Sequence, residues 1–291
     1  MKVFSNAPLC FLCLFLFLMS FFACSRQGHQ SAADNGQAIT GPVTISPAVC
    51  DPAGMDNNFT GLLTAAFRAA GVPENLSFRI LEDLSASPAF ILDLLAIKEG
   101  DPALWRLVDK QHALPADYSP ADLVELRSGS FLVNRDGLML RRAAAQALEE
   151  MAAAARAEGI TLVAASAYRS FDWQVQVHNH WVNVLGREEA QRVSARPGHS
   201  EHQLGLALDF LPIDQSFAQT RGGIWVAANA SRFGWSLSYP YNFEAITGYI
   251  WEPWHYRYVG RELAAFIDNY FDGIKIFALR FLHEWDRLAN R

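Results

Sequence analysis

A carboxylate stands where a buried strand has little use for one. From Leu204 to Phe210 the chain reads Leu-Gly-Leu-Ala-Leu-Asp-Phe. With a period of two, Leu204, Leu206, Leu208 and Phe210 share one face, and Gly205, Ala207 and Asp209 share the other. The first face demands a core. The second carries small residues leading to a carboxylate, so it leaves open volume beside Asp209. A purely structural strand does not need that arrangement, whereas a metal site does. His202 sits just before the strand, within reach of the same space.

The flanking pattern predicts what surrounds this strand. Leu138 to Glu158 is Ala-rich with apolar residues at helical spacing, and Gly159 stops it, which predicts a helix. Ile160 to Ala165 reads as a buried strand running into Ser166-Ala167-Tyr168-Arg169-Ser170. Helices are expected over Phe171 to Leu185 and Ile224 to Phe233, the second closed by Gly234. Strands are expected over Trp235 to Tyr239 and Tyr249 to Val259, followed by an amphipathic helical tail from Arg261. Strands and helices mix without a regular βαβ alternation, so the expected class is α+β rather than a doubly wound sheet. Phe59 to about Gly100 repeats apolar residues at helical spacing and shows no chemistry. We expect a small helical subdomain over 59–104, a main domain over 105–275 and a C-terminal helix over 276–291.

The N-terminus points to export. Lys2 precedes an apolar run from Leu9 to Ala23, shorter than the about 20 residues a spanning helix needs, and a polar stretch follows at once. This predicts a signal peptide over 1–24. The run ends in Ala23-Cys24, a small residue before cysteine, so lipidation of Cys24 and a membrane-anchored lipoprotein are expected. Residues 25–58 read as a flexible linker. Only Cys50 remains beyond Cys24, which excludes an internal disulfide and a cysteine-based metal site in the folded part. The net charge is −6 with no basic run, which argues against a nucleic-acid partner.

Catalytic zinc typically takes three protein ligands and keeps one position open. His255, within Trp251-Glu252-Pro253-Trp254-His255-Tyr256-Arg257-Tyr258, is the best third ligand beside His202 and Asp209. In a regular strand Glu252 and His255 would face opposite ways, but Pro253 breaks the pairing and can bend them together. The expected roles follow. His202, Asp209 and His255 hold Zn²⁺, which acidifies a water and polarises a scissile carbonyl. Glu252 takes the water's proton and returns it to the leaving amine. Arg169, at a strand end, binds either the developing oxyanion or a free substrate carboxylate.

These motifs, in this order, resemble the VanY-type D-alanyl-D-alanine carboxypeptidases and the related L,D-carboxypeptidases. The resemblance rests on Ser-Ala-Tyr-Arg-Ser, on Pro-Gly-His-Ser-Glu-His-Gln-Leu-Gly-Leu-Ala-Leu-Asp and on Glu-Pro-Trp-His-Tyr-Arg-Tyr-Val-Gly, and it covers about Trp105 to Phe271. It implies zinc on His202, Asp209 and His255 with Glu252 catalytic. It also implies that Arg169, Gln174 and Ser200 contact the terminal D-residue or its carboxylate. The implied fold is the small antiparallel sheet with helices shared by hedgehog-type domains and zinc DD-peptidases. The implied substrate is the peptidoglycan stem peptide. Tyr241-Asn242-Phe243 departs from the family pattern on the substrate-side loop.

Other readings are weaker. No H-E-x-x-H or H-x-x-E-H occurs, and no serine has lysine three residues on, so neither the helical zinc proteases nor the penicillin-sensitive serine peptidases fit. His199 is expected in a loop rather than on the metal, and His178 and His180 point in different directions on a helix. An endopeptidase on the same scaffold and a non-catalytic wall-binding lipoprotein are the alternatives. Glu252 argues against the second, and Arg169 with Ser200 against the first. The sequence leaves the choice between D,D and L,D bonds open.

Overall fold

The computed structural model describes residues 57–84 and 86–290. The leader, Cys24 and nearly all of the expected linker lie outside the described residues. Three helices come first: α1 (Asn57–Ala69), α2 (Glu74–Leu84) and α3 (Ala89–Glu99), followed by the single turn α4 (Pro102–Trp105). Short strands β1 (Leu123–Glu125), β2 (Leu132–Val133) and β3 (Met139–Arg141) lead into α5 (Arg142–Ala157) and β4 (Val163–Ser166). Then come α6 (Phe171–Leu185), α7 (Arg187–Val193), β5 (Ala207–Phe210), α8 (Arg221–Asn229), β6 (Trp235–Leu237), α9 (Glu244–Thr247) and β7 (His255–Tyr258). Helices α10 (Arg261–Phe271) and α11 (Lys275–Ala289) end the chain's described part. None of these helices is long and apolar enough to cross a membrane.

The main sheet runs β2-β4-β5-β7-β6. Every pairing is antiparallel except β2 with β4. That parallel pair needs a crossover, and the connection through β3 and α5 supplies it. The class is therefore α+β, as expected. Several spans differ from the sequence reading. The helix expected from Leu138 starts only at Arg142, because Met139–Arg141 pair with Leu123–Glu125 in a separate two-stranded ribbon. The strand expected from Leu204 starts at Ala207, because Glu201–Leu204 form a 3₁₀ turn closed by Gly205 in the left-handed region. A Cβ at Gly205 would lie 2.8 Å from Leu123, so only glycine fits both the backbone and the packing. The strand expected over Tyr249 to Val259 is confined to His255–Tyr258, with a turn at Pro253 and Trp254. The bend invoked for Glu252 is thus present.

Two apolar clusters hold the structure. One lies between α5 and the sheet: Leu148 and Met151 of the helix meet Leu206, Leu208, Phe210 and Trp235. Alanines along α5 let the helix approach closely, and Gly159 ends it with Ile160 N–H bonded back to Ala155 C=O at 3.0 Å. The other cluster joins α1, α2 and α3 to α10 and α11. Phe67 stacks on Phe281 with ring centroids 4.5 Å apart, and Phe90 packs on Phe266 at 5.1 Å. The N-terminal helices and the C-terminal helices therefore share one core. Truncating one of these buried rings to alanine should cost about 3–5 kcal/mol.

Candidate metal centre

The central strand places Asp209, and its neighbours bring the rest. In the β5–β7 register Asp209 lies directly opposite His255, and on the other side it meets Ser166 of β4. His202 enters from the 3₁₀ turn, whose cap is Ser200: the Ser200 hydroxyl accepts from the His202 N–H at 3.3 Å. All three side chains are buried, at 2%, 5% and 4% exposure for His202, Asp209 and His255. One ligand-type atom from each lies within 4.8 Å of the others.

The tautomers are set from behind. His202 Nδ1 faces the Ala167 carbonyl at 2.7 Å, and His255 Nε2 faces Glu201 Oε2 at 3.3 Å. Each outer nitrogen thus has an acceptor, which leaves His202 Nε2 and His255 Nδ1 free to present lone pairs to the same point. They lie 3.2 Å and 2.9 Å from the Asp209 carboxylate oxygens. Neither contact has hydrogen-bond geometry, so His202 Nε2 and Asp209 Oδ1 are left without a hydrogen-bond partner although both are buried. Two orphaned acceptors converging beside a third nitrogen suit a cation, and two histidines with one carboxylate form a zinc-type donor set.

The electrostatics agree. Burial, with Arg169 adding to it, holds His202 down to about 4, so it is neutral and able to ligate. Burial alone would raise Asp209, but His202 and His255 hold it well below the usual carboxylate range. Burial opposes protonation of His255, yet Asp209 and Glu201 outweigh it and push it up to about 9 in the metal-free site. Glu252 is raised to about 8, chiefly by burial, with Asp209 adding to the rise. Its Oε2 lies 3.7 Å from His255 Nδ1, beside the three ligands rather than among them.

A cavity of about 780 Å³ opens onto this cluster, and Arg169, Ser200, His202, Asp209, Glu252 and His255 all line it. Trp173, Trp181 and Trp254 give it apolar walls. Arg169 follows β4 and directly precedes the Ser170 cap of α6, whose hydroxyl accepts from Trp173 N–H at 3.2 Å. Its guanidinium donates to Gln174 Oε1 at 3.0 Å and lies 3.6 Å from Asp209. Gln174 is placed differently from the sequence reading. It does not line the cavity, and its amide nitrogen donates to Ala195 C=O at 2.7 Å, so both ends are committed to holding Arg169. His199 is in a loop, with Nδ1 2.8 Å from the Asp109 carbonyl and away from the cluster. His112 and His283 pack edge to face at 4.7 Å, and His112 also pairs with Asp109 at 2.7 Å.

The sequence reading missed the layer behind His255. Glu201, Ser238, Arg257 and Lys275 form a buried polar cluster there. Arg257 was detectable, since it shares a strand face with His255 two residues away. Glu201 sits between two site residues in the motif. Lys275 carries no local signal.

The comparisons with known proteins point one way. Residues 137–261 match the family described as VanY, D-alanyl-D-alanine carboxypeptidase. YodJ of Bacillus subtilis (strain 168), provisionally named a carboxypeptidase, is 40% identical over 198 residues, covering 63% of this chain and 72% of that protein. The LdcB LD-carboxypeptidase structure aligns with a TM-score of 0.52 and 39% identity, over 58% of this chain and 85% of LdcB. A variant of the D,D-pentapeptidase VanY from a VanB-type resistance cassette, in complex with Zn(II), aligns with a TM-score of 0.50 and 32% identity, over 59% of this chain and 96% of that one. The fold is thus the hedgehog/DD-peptidase-like arrangement of VanY and LdcB.

Proposed function

The chain belongs to the VanY-type D-alanyl-D-alanine carboxypeptidase family, and from that premise we propose that it is an exported, zinc-dependent hydrolase that removes the terminal D-alanine from peptidoglycan stem peptides. The observation that carries this reading is the buried set of His202, Asp209 and His255, with two orphaned acceptor atoms, sharing one cavity with Glu252 and Arg169.

His202 Nε2, Asp209 and His255 Nδ1 would hold the metal. Bound there, zinc would supply Lewis acidity at the scissile carbonyl and make a water acidic enough to act near neutral pH. Glu252 is buried at the edge of this set, where a bound cation would favour its ionised form, and it is positioned to accept that water's proton and pass it to the leaving amine. Its burial keeps the transferred proton away from bulk solvent. Arg169 is pinned by Gln174 and presents a guanidinium to the cavity, which suits a substrate carboxylate. A free carboxylate next to the scissile bond defines an exopeptidase, so Arg169 favours carboxypeptidase over endopeptidase action. Ser200 lines the same wall and can add a hydroxyl contact. Export through the leader and anchoring at Cys24 belong to the same proposal.

The test is mass spectrometry of a defined tetrapeptide and a defined pentapeptide stem, incubated with the mature protein with and without chelator. Chelator-sensitive loss of one alanine from the pentapeptide alone would establish D,D-specificity. Loss from the tetrapeptide would establish L,D-specificity. Cleavage of neither by the zinc-loaded protein would refute the proposal.

A further inference from the structure

The polar cluster behind His255 is built from two parts of the chain. Glu201, Ser238 and Arg257 lie within residues 137–261, the span that matches the family. Lys275 lies outside it, at the first position of α11. The four side chains are 0–3% exposed, with Glu201 at 3% and Lys275 at 2%. A carboxylate offers about four lone-pair sites, and in Glu201 each is used. Oε1 receives Arg257 Nη1 at 3.1 Å and Lys275 Nζ in a short contact. Oε2 receives the Ser238 hydroxyl at 2.6 Å and faces His255 Nε2 at 3.3 Å. Lys275 also donates to Ser238 Oγ at 2.7 Å, so it grips the two groups that flank the Glu201–His255 contact.

Arg257 cannot take over this task. Its second nitrogen, Nη2, is spent on the carbonyls of Ala103, Leu104 and Arg106. Without Lys275, Glu201 would lose the donor that fixes one oxygen and orients Ser238 against the other. The longest contact of the set, to His255, is the one with least to hold it.

We propose that Lys275 is a positioning residue for the metal centre, acting through Glu201 to hold the His255 ring so that Nδ1 faces Asp209 and His202. This rests on the zinc reading above. It also gives the helical layer a role in the site. Helix α11 shares its core with α1, α2 and α3, so docking of that layer delivers Lys275 to the cluster. Partners one step behind a metal ligand typically change affinity about 10–100-fold when removed.

The experiment compares the full mature protein with its Lys275→Met variant, which keeps the length of the side chain and removes its charge and donors. Zinc affinity is measured by chelator competition, and thermal unfolding is followed for the metal-free and zinc-loaded forms. The expected result is a folded variant that binds zinc at least about tenfold more weakly. A variant whose metal-free and zinc-loaded forms are destabilised equally, with unchanged zinc affinity, would overturn the proposal and leave Lys275 a purely structural ion. Should Lys275→Met fail to fold, Ser238→Ala removes the neighbouring clamp without stranding a charge and should weaken zinc several-fold, and unchanged affinity there would equally overturn it. Zinc binding is read without substrate. A wild-type protein that binds zinc but cleaves no stem peptide would therefore sink the proposed function alone, and one that binds no zinc would sink both.

Discussion

Replacing Glu252 by glutamine should make the enzyme nearly inert and its metal-free form more stable. The side chain is 8% exposed, and burial lifts its carboxyl from 4.5 to about 8. An acid raised by folding holds its proton more tightly in the folded state. Below pH 4.5 both states are protonated and the group has no effect. As pH climbs towards 8 the unfolded chain ionises first, so stability falls by about 1.4 kcal/mol for each pH unit. At pH 7 the loss is about 3 kcal/mol, and at pH 5 it is under about 1 kcal/mol. Glutamine has the same shape and does not ionise, so it removes this penalty. The metal-free Glu252→Gln protein should then melt about 6–12 °C above the wild type at pH 7, with the gap nearly closed at pH 5. Zinc should still bind one to one, because Glu252 is not one of the three proposed ligands. Removing the base should lower kcat by about 10²–10⁴ with little change in KM. The assays are differential scanning calorimetry of the metal-free proteins at both pH values, zinc titration, and stem-peptide turnover. Equal melting temperatures at pH 7 would show that Glu252 is not held in a dry site, and wild-type turnover would remove it from the mechanism.

Three further outcomes are expected. In the metal-free site His255 keeps its proton up to about 9 and must lose it to become a ligand, so zinc affinity should rise about tenfold per pH unit from pH 6 to 8 and level off above 9; calorimetry in buffers of different ionisation enthalpy should show proton release, and a pH-independent affinity would contradict this. Arg169→Lys loses the planar contact that Gln174 supports, so KM for stem peptides with a free C-terminal carboxylate should rise about 10–100-fold. Residual activity on C-terminally amidated peptides should be unaffected, and an equal effect on both would move Arg169 to the oxyanion instead. A Cys24→Ala protein expressed in a bacterial host should take up no fatty-acid label, whereas persistent labelling would place the anchor elsewhere.

The cluster of His202, Asp209 and His255 was legible because its signals are local. Leu206, Leu208 and Phe210 point to the core in the structure as period-two spacing requires, which fixes Asp209 on the opposite face whatever the rest of the chain does. Pro253 was equally readable, since a residue without an N–H cannot continue a paired strand, and the turn found there lets Glu252 and His255 meet. Boundaries were less readable. Met139–Arg141 could extend the Ala-rich helix by composition, and only their pairing with Leu123–Glu125 decides that they are strand. Gln174 looked like a ligand contact in sequence because its type and place match the family motif, but its direction depends on where the Ala195 carbonyl and Arg169 arrive in space.

The layer behind the site shows the division most plainly. Residue types and spacing within two short segments pointed to the side chains this protein can offer to a cation, since the strand period and the proline break act over a few residues. Lys275 lies 74 positions from the carboxylate it grips, and no periodicity reaches so far. A buried charge is tolerable only where the complete fold brings its counter-charges together, so that pairing was decided by tertiary structure alone.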